Sequence, residues 1–316
     1  MEEFLEVLQL RFESGIKRLL LVVLVLGLAA VGVSAQSPKI LKNGLKKLVA
    51  GKRAVVGVSI ISDDGKLRVS YNGKRRFPFQ SVFKLHIALK MLSEIDKGNF
   101  KLDQIVEIKK DEMMPGLYSP IRDKHPDGAS LPLSEILEYT VSLSDNVGCD
   151  VLLRMLGGPS EIDGYLRKNG FKGFEIKLNE ETQQAEWDLQ FQNWTTPNTS
   201  SEILKAFYDN GKAQLSKESY AFLWKVLRET STGAGRLKGK LPKDTVVAHK
   251  TGTSGKHKTT GEVAAVNDIG VIFLPDGRHV FVSVYVTESM LDYDGSEAII
   301  ADIGKLVWDF YTGGKD

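Results

Sequence analysis

The segment Ala54-Val-Val-Gly-Val-Ser-Ile-Ile-Ser62 is rich in β-branched residues, and the turn sequence Asp63-Asp-Gly-Lys66 follows it directly. This combination is typical of a strand that enters a β-hairpin, and Leu67–Tyr71 has the composition of the returning strand. The pattern recurs near the other end of the chain, where Val263–Leu274 and His279–Thr287 flank a Pro-Asp-Gly turn. One antiparallel sheet that combines segments from both ends of the chain is therefore predicted.

A block with a helical pattern separates these strands. In it, Val82–Lys97 is apolar almost all round, which indicates a buried helix. Leu133–Leu156 and Thr199–Glu229 are predicted as further helical segments. Residues 179–197 have no regular period and are predicted to form a long polar loop, a feature that is usually functional in a compact domain.

The order of these segments predicts an α+β fold with two domains. An antiparallel sheet flanked by the terminal helices is expected from residues 36–76 and 229–316, which come together although they are far apart in sequence. An all-α domain at residues 77–228, which includes the polar loop 179–197, is inserted between them. A cleft between two such domains is a common place for a small-molecule site.

The composition excludes several classes of function. The 316 residues include 42 Lys and Arg against 40 Asp and Glu, and this net charge of +2 is too even for a nucleic-acid-binding surface. The single cysteine, Cys149, cannot form an intrachain disulfide, and the 5 histidines are scattered along the sequence. A metal site is therefore not expected.

The N-terminal segment has the features of an export signal. Lys17-Arg18 precedes the apolar run Leu19–Val33, and small residues at Val33 and Ala35 are compatible with cleavage after Ala35. Residues 1–35 are therefore predicted to be a signal peptide, and the mature chain is expected in a bacterial periplasm without stable membrane association. The alternative is an uncleaved anchor, because no charge occurs between Arg18 and Lys39.

Three short motifs carry the chemistry: Ser81-Val-Phe-Lys84, Ser144-Asp-Asn146 and Lys250-Thr-Gly252. On a helix, Ser81 and Lys84 lie on one face, so the amine can sit beside the hydroxyl. A serine nucleophile needs a base, a route for its proton to the leaving nitrogen and a cation for an anionic substrate, and the three motifs together supply these groups. The first motif alone is weak, whereas all three in this order are not expected by accident.

The ordered motif set resembles the serine β-lactamases of class A and the penicillin-binding proteins. The resemblance covers nearly the whole chain after the leader and implies the sheet domain and all-α domain that are inferred above. It also implies hydrolysis of a small β-lactam substrate through a covalent acyl-enzyme, with no metal or organic cofactor. A monomer is expected because no oligomerising stripe stands out.

The resemblance implies a role for each motif residue. Ser81 resembles the acylated nucleophile, and Lys84 resembles the base or proton relay beside it. Ser144 would pass a proton to the β-lactam nitrogen, and Asn146 would hold the acylamide side chain of the substrate. Lys250 would provide positive potential for the substrate carboxylate and for Ser144.

Further substrate contacts are implied on the strand that follows. The hydroxyls of Thr251 and Thr253, on either side of Gly252, would contact the substrate carboxylate, and the backbone N–H groups of Ser81 and Thr253 would form the oxyanion hole. Arg236 falls where related enzymes supply a second cation for that carboxylate. The alternative for Arg236 is an ordinary solvated surface residue.

Two other positions fit a divergent cephalosporinase and extended-spectrum branch of the family. Tyr118 resembles the aromatic gate over the cleft, and its alternative is a turn aromatic that packs on the loop. Asp150 stands where the commoner branch carries Asn, and a buried carboxyl there must be hydrogen-bonded or protonated, so a structural role is expected. With Thr253 and Arg236, Asp150 favours cephalosporins as substrates.

A class A β-lactamase also needs a loop carboxylate that activates water against the acyl-enzyme. Glu180 is assigned to this role, with Gln184 where the family has a polar partner for the same water. Glu181 and Glu186 are the competing carboxylates. The Arg–Asp bridge that crosses this loop in the family has no obvious counterpart here.

Two other functions remain open on the sequence alone. A D,D-peptidase or penicillin-binding protein would share every motif except efficient deacylation. A β-lactam-sensing domain would acylate once and signal, and it would need a transmembrane relay, for which only Leu19–Val33 is a candidate.

Overall fold

The structure is a computed structural model that describes residues 37–314. The predicted signal peptide and its cleavage site lie outside these residues. The helices are α1 Pro38–Val49, α2 Phe83–Asp96, α3 Pro120–Lys124, α4 Leu133–Ser142, α5 Asn146–Leu156, α6 Pro159–Lys168, α7 Glu180–Ala185, α8 Pro197–Asp209, α9 Lys217–Arg228 and α10 Tyr293–Thr312. Short 3₁₀ turns occupy Gln80–Val82, Lys110–Glu112 and Trp187–Phe191.

The strands form one large sheet and two small ones. They are β1 Val55–Ser62, β2 Arg68–Tyr71, β3 Phe77–Pro78, β4 Ile105–Ile108, β5 Ala129–Pro132, β6 Phe174–Glu175, β7 Trp194–Thr195, β8 Val247–Thr253, β9 Val266–Phe273 and β10 His279–Thr287. The large sheet has the order β2-β1-β10-β9-β8 and is antiparallel throughout. Strands from the two ends of the chain therefore pair directly, and β10 has the predicted bounds.

Successive side chains of the large sheet point to opposite sides, and helices pack against both. The sheet is therefore buried on both faces. On β1, Ile60 joins a core with residues of α1 and α10, whereas the adjacent Ile61 joins a core with residues of α2. Val282 and Phe281 on β10 divide between the two cores in the same way. The α+β fold with a sheet flanked by the terminal helices is confirmed.

The chain from Pro38 onward packs as one unit. Phe281 and Tyr285 of the sheet share a core with Phe83 of the helical block, so the two predicted domains are joined by continuous apolar packing. The domain boundaries at residues 76/77 and 228/229 follow the secondary structure and stay a prediction.

Three local expectations are wrong. Leu133–Leu156 is two helices, because the chain turns at Ser144 with a φ of 63° and Asp145 then caps α5 by accepting from the Gly148 N–H. Thr199–Glu229 is likewise two helices, since Asn210 ends α8 in a left-handed conformation and Ser216 caps α9. The loop 179–197 contains α7, a 3₁₀ turn and β7. Capping side chains, which a periodicity pattern does not register, produce these breaks.

Candidate active site

The Ser81 hydroxyl lies at the start of α2, in the 3₁₀ turn that precedes it. Gln80 just before it has a φ of 46°, a left-handed conformation that costs a non-glycine residue about 1–2 kcal/mol. The Asn267 amide on β9 holds this segment by donating to the carbonyls of Pro78 (2.9 Å) and Phe79 (3.2 Å). Contacts from the sheet thus maintain a strained turn directly before the serine.

Lys84 connects all the polar groups on the helical side of the site. Its Nζ donates to Ser81 Oγ at 3.0 Å, to the Ser144 carbonyl at 2.8 Å and to Asn146 Oδ1. It also forms an ion pair with Glu180 Oε1 at 2.9 Å, and the two side chains are 0% and 1% exposed. A buried ion pair of this kind is tolerated because further hydrogen bonds satisfy both partners.

Ser144 projects from the tight turn between α4 and α5. Asp145 holds this turn because its carboxylate accepts from Ser119 Oγ (2.9 Å), the Ile121 N–H (2.7 Å) and the Gly148 N–H (2.8 Å). These bonds hold the turn in place, and the backbone carbonyl of Ser144 accepts from Lys84 Nζ.

Lys250 reaches this cluster from the other side, on edge strand β8. Its Nζ donates to Ser144 Oγ at 2.9 Å. Burial and the positive charge of Lys84 lower the pKa of Lys250 well below its ordinary value. An anionic substrate bound beside Lys250 would favour its charged form and so raise this pKa again. The hydroxyl of the adjacent Thr251 is 2.6 Å from that of Thr232, so the structure directs it to a protein partner.

Gly252 lets β8 approach the nucleophile turn. A Cβ at this position would come within 2.7 Å of the Phe79 carbonyl oxygen, a contact that backbone atoms do not tolerate. The end of β8, where Thr253 is exposed, therefore runs beside the turn that carries Ser81.

Arg236 is buried at 5% exposure, so the alternative of a solvated surface arginine is wrong. Its guanidinium donates to the carbonyls of Gly252 (3.1 Å) and Asn267 (2.8 Å) and to Thr253 Oγ1 (2.6 Å), and it pairs with Glu297 at 2.9 Å. Its positive charge thus lies directly behind the hydroxyl of Thr253.

Of the three glutamates in loop 179–197, Glu180 is the one whose carboxylate joins this cluster. Its Oε1 is 3.4 Å from Ser81 Oγ, whereas Glu181 and Glu186 are exposed. Burial acts to raise the pKa of Glu180, but the Lys84 charge and hydrogen bonds outweigh it, so this pKa is lowered. Gln184 donates to Glu180 Oε2 at 2.8 Å.

The loop is held without the family's Arg–Asp bridge. Asp150 accepts from the backbone N–H groups of Glu180 (2.8 Å) and Glu181 (3.0 Å) and from the Asn179 amide. Burial, with a smaller contribution from the Glu180 charge, raises the pKa of Asp150 to about 6. The carboxyl is therefore hydrogen-bonded, in the way the sequence analysis required.

Sequence reasoning missed two residues of this loop, Asn193 and Gln183. The Asn193 side chain accepts from the N–H groups of Lys177 and Leu178 and donates to the Leu178 carbonyl, so it ties the two ends of the loop together. Gln183 donates to Glu180 Oε2 at 2.6 Å. The i,i+3 spacing of Glu180 and Gln183 on a short helix was the available signal.

Tyr118 is 56% exposed, and its backbone carbonyl accepts from the Asn146 N–H at 3.1 Å. This contact places its backbone beside the Ser144 turn. Whether its ring acts as a gate over the cleft stays a prediction.

Across residues 37–314, no group of three or more His, Cys, Asp and Glu side chains is arranged to hold a metal ion. Within the same residues, none of the helices combines the length and the apolar character that crossing a bilayer requires.

Comparisons with known proteins give matches over most of this chain. The model of the beta-lactamase enzyme family matches residues 40–311. Beta-lactamase VEB-1 of Pseudomonas aeruginosa is 45% identical over 94% of this chain and 98% of its own length. Extended-spectrum beta-lactamase PER-1 of the same organism is 42% identical over 91% and 92%. The crystal structure of the TLA-1 extended-spectrum beta-lactamase has a TM-score of 0.84 at 44% identity, covering 87% of this chain and 99% of that one.

Proposed function

The chain belongs to the class A serine β-lactamases and hydrolyses the β-lactam ring, and from this premise we propose the residues that perform each step. Ser81 Oγ attacks the lactam carbonyl carbon, and its proton passes to the Lys84 and Glu180 pair, both of which are within 3.4 Å of that oxygen. The backbone N–H groups of Ser81 and Thr253 stabilise the oxyanion, an effect worth roughly 3–4 kcal/mol for one donor.

Ring opening then requires a proton on the leaving nitrogen. Ser144 Oγ delivers it and regains a proton from Lys250 Nζ, 2.9 Å away. The proton that the Lys84 and Glu180 pair took from Ser81 then restores the charge of Lys250, so Glu180 is ionised again before deacylation. The C–N bond breaks and a Ser81 ester is left. Asn146 holds the acylamide group, while Thr253 and the Arg236 charge behind it receive the substrate carboxylate. The buried Thr251 hydroxyl would reach that carboxylate only by giving up its contact with Thr232.

Deacylation distinguishes this enzyme from a D,D-peptidase. Glu180 takes a proton from water, which attacks the ester carbonyl. As the ester C–O bond breaks, Glu180 returns that proton to Ser81 Oγ and the opened acid is released. The observation that carries this assignment is the position of Glu180 Oε1, which is buried between Lys84 Nζ at 2.9 Å and Ser81 Oγ at 3.4 Å. The low pKa of Glu180 keeps it ionised and able to accept a proton.

The test is Glu180→Gln, with Glu186→Gln on the same loop as the matched control. Glu180→Gln should be acylated by a chromogenic cephalosporin and then stall, so that intact-mass spectrometry finds one covalent adduct per protein. Glu186→Gln should turn over normally. Normal turnover by Glu180→Gln, or stalling by Glu181→Gln in its place, would show that the base is assigned to the wrong residue.

Cephalosporins, including oxyimino ones, are the proposed preferred substrates, which the names of the extended-spectrum relatives support. Comparing kcat/KM for cephalosporins and benzylpenicillin tests this preference.

The proposal also includes export to the periplasm with cleavage after Ala35, and a mature enzyme that is a monomer. N-terminal sequencing of the periplasmic protein tests the cleavage, and light scattering after gel filtration tests the monomer.

A further inference from the structure

Gln183 is a buried side chain that the three catalytic motifs do not include. It is 1% exposed and lies on α7, one turn after Glu180. Its Nε2 donates to Glu180 Oε2 at 2.6 Å, and its Oε1 accepts from Asn193 Nδ2 at 3.1 Å. Both ends of the amide are therefore hydrogen-bonded, and rotating the amide by 180° would break both bonds.

Asn193 gives Gln183 a rigid support. Its side chain is 0% exposed and joins the two ends of the loop. Its backbone carbonyl accepts from the Phe79 N–H at 2.9 Å, in the segment that leads to Ser81. A continuous series of hydrogen bonds thus runs from Phe79, between β3 and the nucleophile, through Asn193 and Gln183 to Glu180.

The two oxygens of Glu180 have different surroundings as a result. Oε2 receives the amide N–H groups of Gln183 at 2.6 Å and Gln184 at 2.8 Å. Oε1 faces Lys84 Nζ at 2.9 Å and Ser81 Oγ at 3.4 Å. Gln184 is exposed, whereas Gln183 is fully enclosed, so Gln183 is the better fixed of the two donors.

We propose that Gln183 is a positioning residue for deacylation: it holds Oε2 of Glu180, so that Oε1 faces the acyl-enzyme and accepts the proton of the hydrolytic water. The inference rests on the proposed role of Glu180 as the base. A donated N–H bond also stabilises the ionised carboxylate, and the hydrogen bond from Gln183 is among the contacts that lower the pKa of Glu180.

The test compares Gln183→Met, which has a similar length but no donor, with Gln192→Met at an exposed position on the same loop. Losing a hydrogen bond to a charged group should slow deacylation roughly tenfold. If only deacylation slows, kcat and KM fall together while kcat/KM, which reports acylation, stays within about threefold of wild type. Acyl-enzyme should accumulate by mass spectrometry, and the acidic limb of the kcat–pH profile should move to higher pH.

A merely structural role predicts a different result. A Gln183→Met enzyme whose kcat and kcat/KM fall equally, with KM and the acidic limb unchanged, would overturn the proposal, and so would wild-type kinetics. If that variant does not fold, Gln183→Glu keeps the size and puts a second carboxylate against Glu180, so its acidic limb should also move to higher pH. An unchanged limb in that variant would again overturn the proposal.

Glu180→Gln separates this inference from the proposed function. If Glu180→Gln stalls as an acyl-enzyme while Gln183→Met behaves as wild type, only the positioning role of Gln183 is wrong. If Glu180→Gln turns over normally, the base assignment itself is wrong.

Discussion

We expect His86 to make the stability of this enzyme sensitive to acid. It lies on α2, two residues after Lys84, with 0% exposure, and neither ring nitrogen has a hydrogen-bond partner. The Phe79 ring meets it edge-on at 5.0 Å. Burial lowers the pKa of His86 from 6.5 to about 4, and the nearby carbonyls of Phe83 and Val82 offset only part of that effect.

The direction follows from proton linkage. The folded pKa is below the unfolded one, so the unfolded chain binds the proton first as the pH falls. The stability that comes from keeping His86 neutral is present in full above pH 6.5, and it is lost as the pH falls through about 4. The shift corresponds to about 3 kcal/mol in total, of which about 2.5 kcal/mol should be lost by about pH 4.5.

The perturbation is His86→Leu, which has a similar volume and does not titrate. At about pH 7.5 the variant should be as stable as wild type or slightly more stable, because two unsatisfied ring nitrogens are removed. At about pH 4.5 the free energy of unfolding of the variant should exceed that of wild type by a further ~2.5 kcal/mol. Urea unfolding at both pH values, followed by circular dichroism, measures the difference, and all other titrating groups cancel in it. An equal difference at the two pH values would refute the reasoning.

Two further substitutions test the contacts around β8. Gly252→Ala puts a Cβ within 2.7 Å of the Phe79 carbonyl oxygen, so the turn before Ser81 must move and kcat/KM should fall roughly 100-fold. A stopped-flow acylation rate equal to wild type would contradict this. Arg236→Lys keeps the charge but loses the planar guanidinium that joins Thr253 to its neighbours. The kcat/KM for cephalosporins should therefore fall roughly tenfold, and the free energy of unfolding in urea should fall by about 2 kcal/mol. Unchanged values in both assays would show that a point charge suffices.

Much of the fold was predictable because local patterns specify it. The β-branched runs and turn residues of β1 and β10 predict strands wherever they are placed, and β10 has the bounds that were predicted, His279–Thr287. The breaks at Ser144 and in the 210–216 region were not predicted, because they depend on single capping side chains and on left-handed residues. A pattern of apolar spacing is nearly the same for one long helix and for two short helices in succession.

The site divides in a similar way. The spacing of Ser81 and Lys84 places them on one face of a helical turn. Accordingly, Lys84 Nζ lies 3.0 Å from Ser81 Oγ in the structure. The position of Arg236 was open on the sequence, since an arginine in a glycine-rich segment looks the same whether it is solvated or buried. The four hydrogen-bonding and ionic contacts of its guanidinium come from β8, β9 and α10, which only folding brings together.

The sequence by itself determined the residue types, the order of the motifs and most of the strands, and these were enough to identify chemistry through a serine acyl-enzyme. The sequence analysis had already assigned Glu180 among the loop glutamates. Only the tertiary structure decided how its carboxylate is oriented and which buried amides hold it. Ser81 and Glu180 are 99 residues apart in the chain, and Gln183 is supported through Asn193 and Phe79. Turn and periodicity signals act over a few residues, whereas the burial and direction of a side chain depend on packing between distant segments.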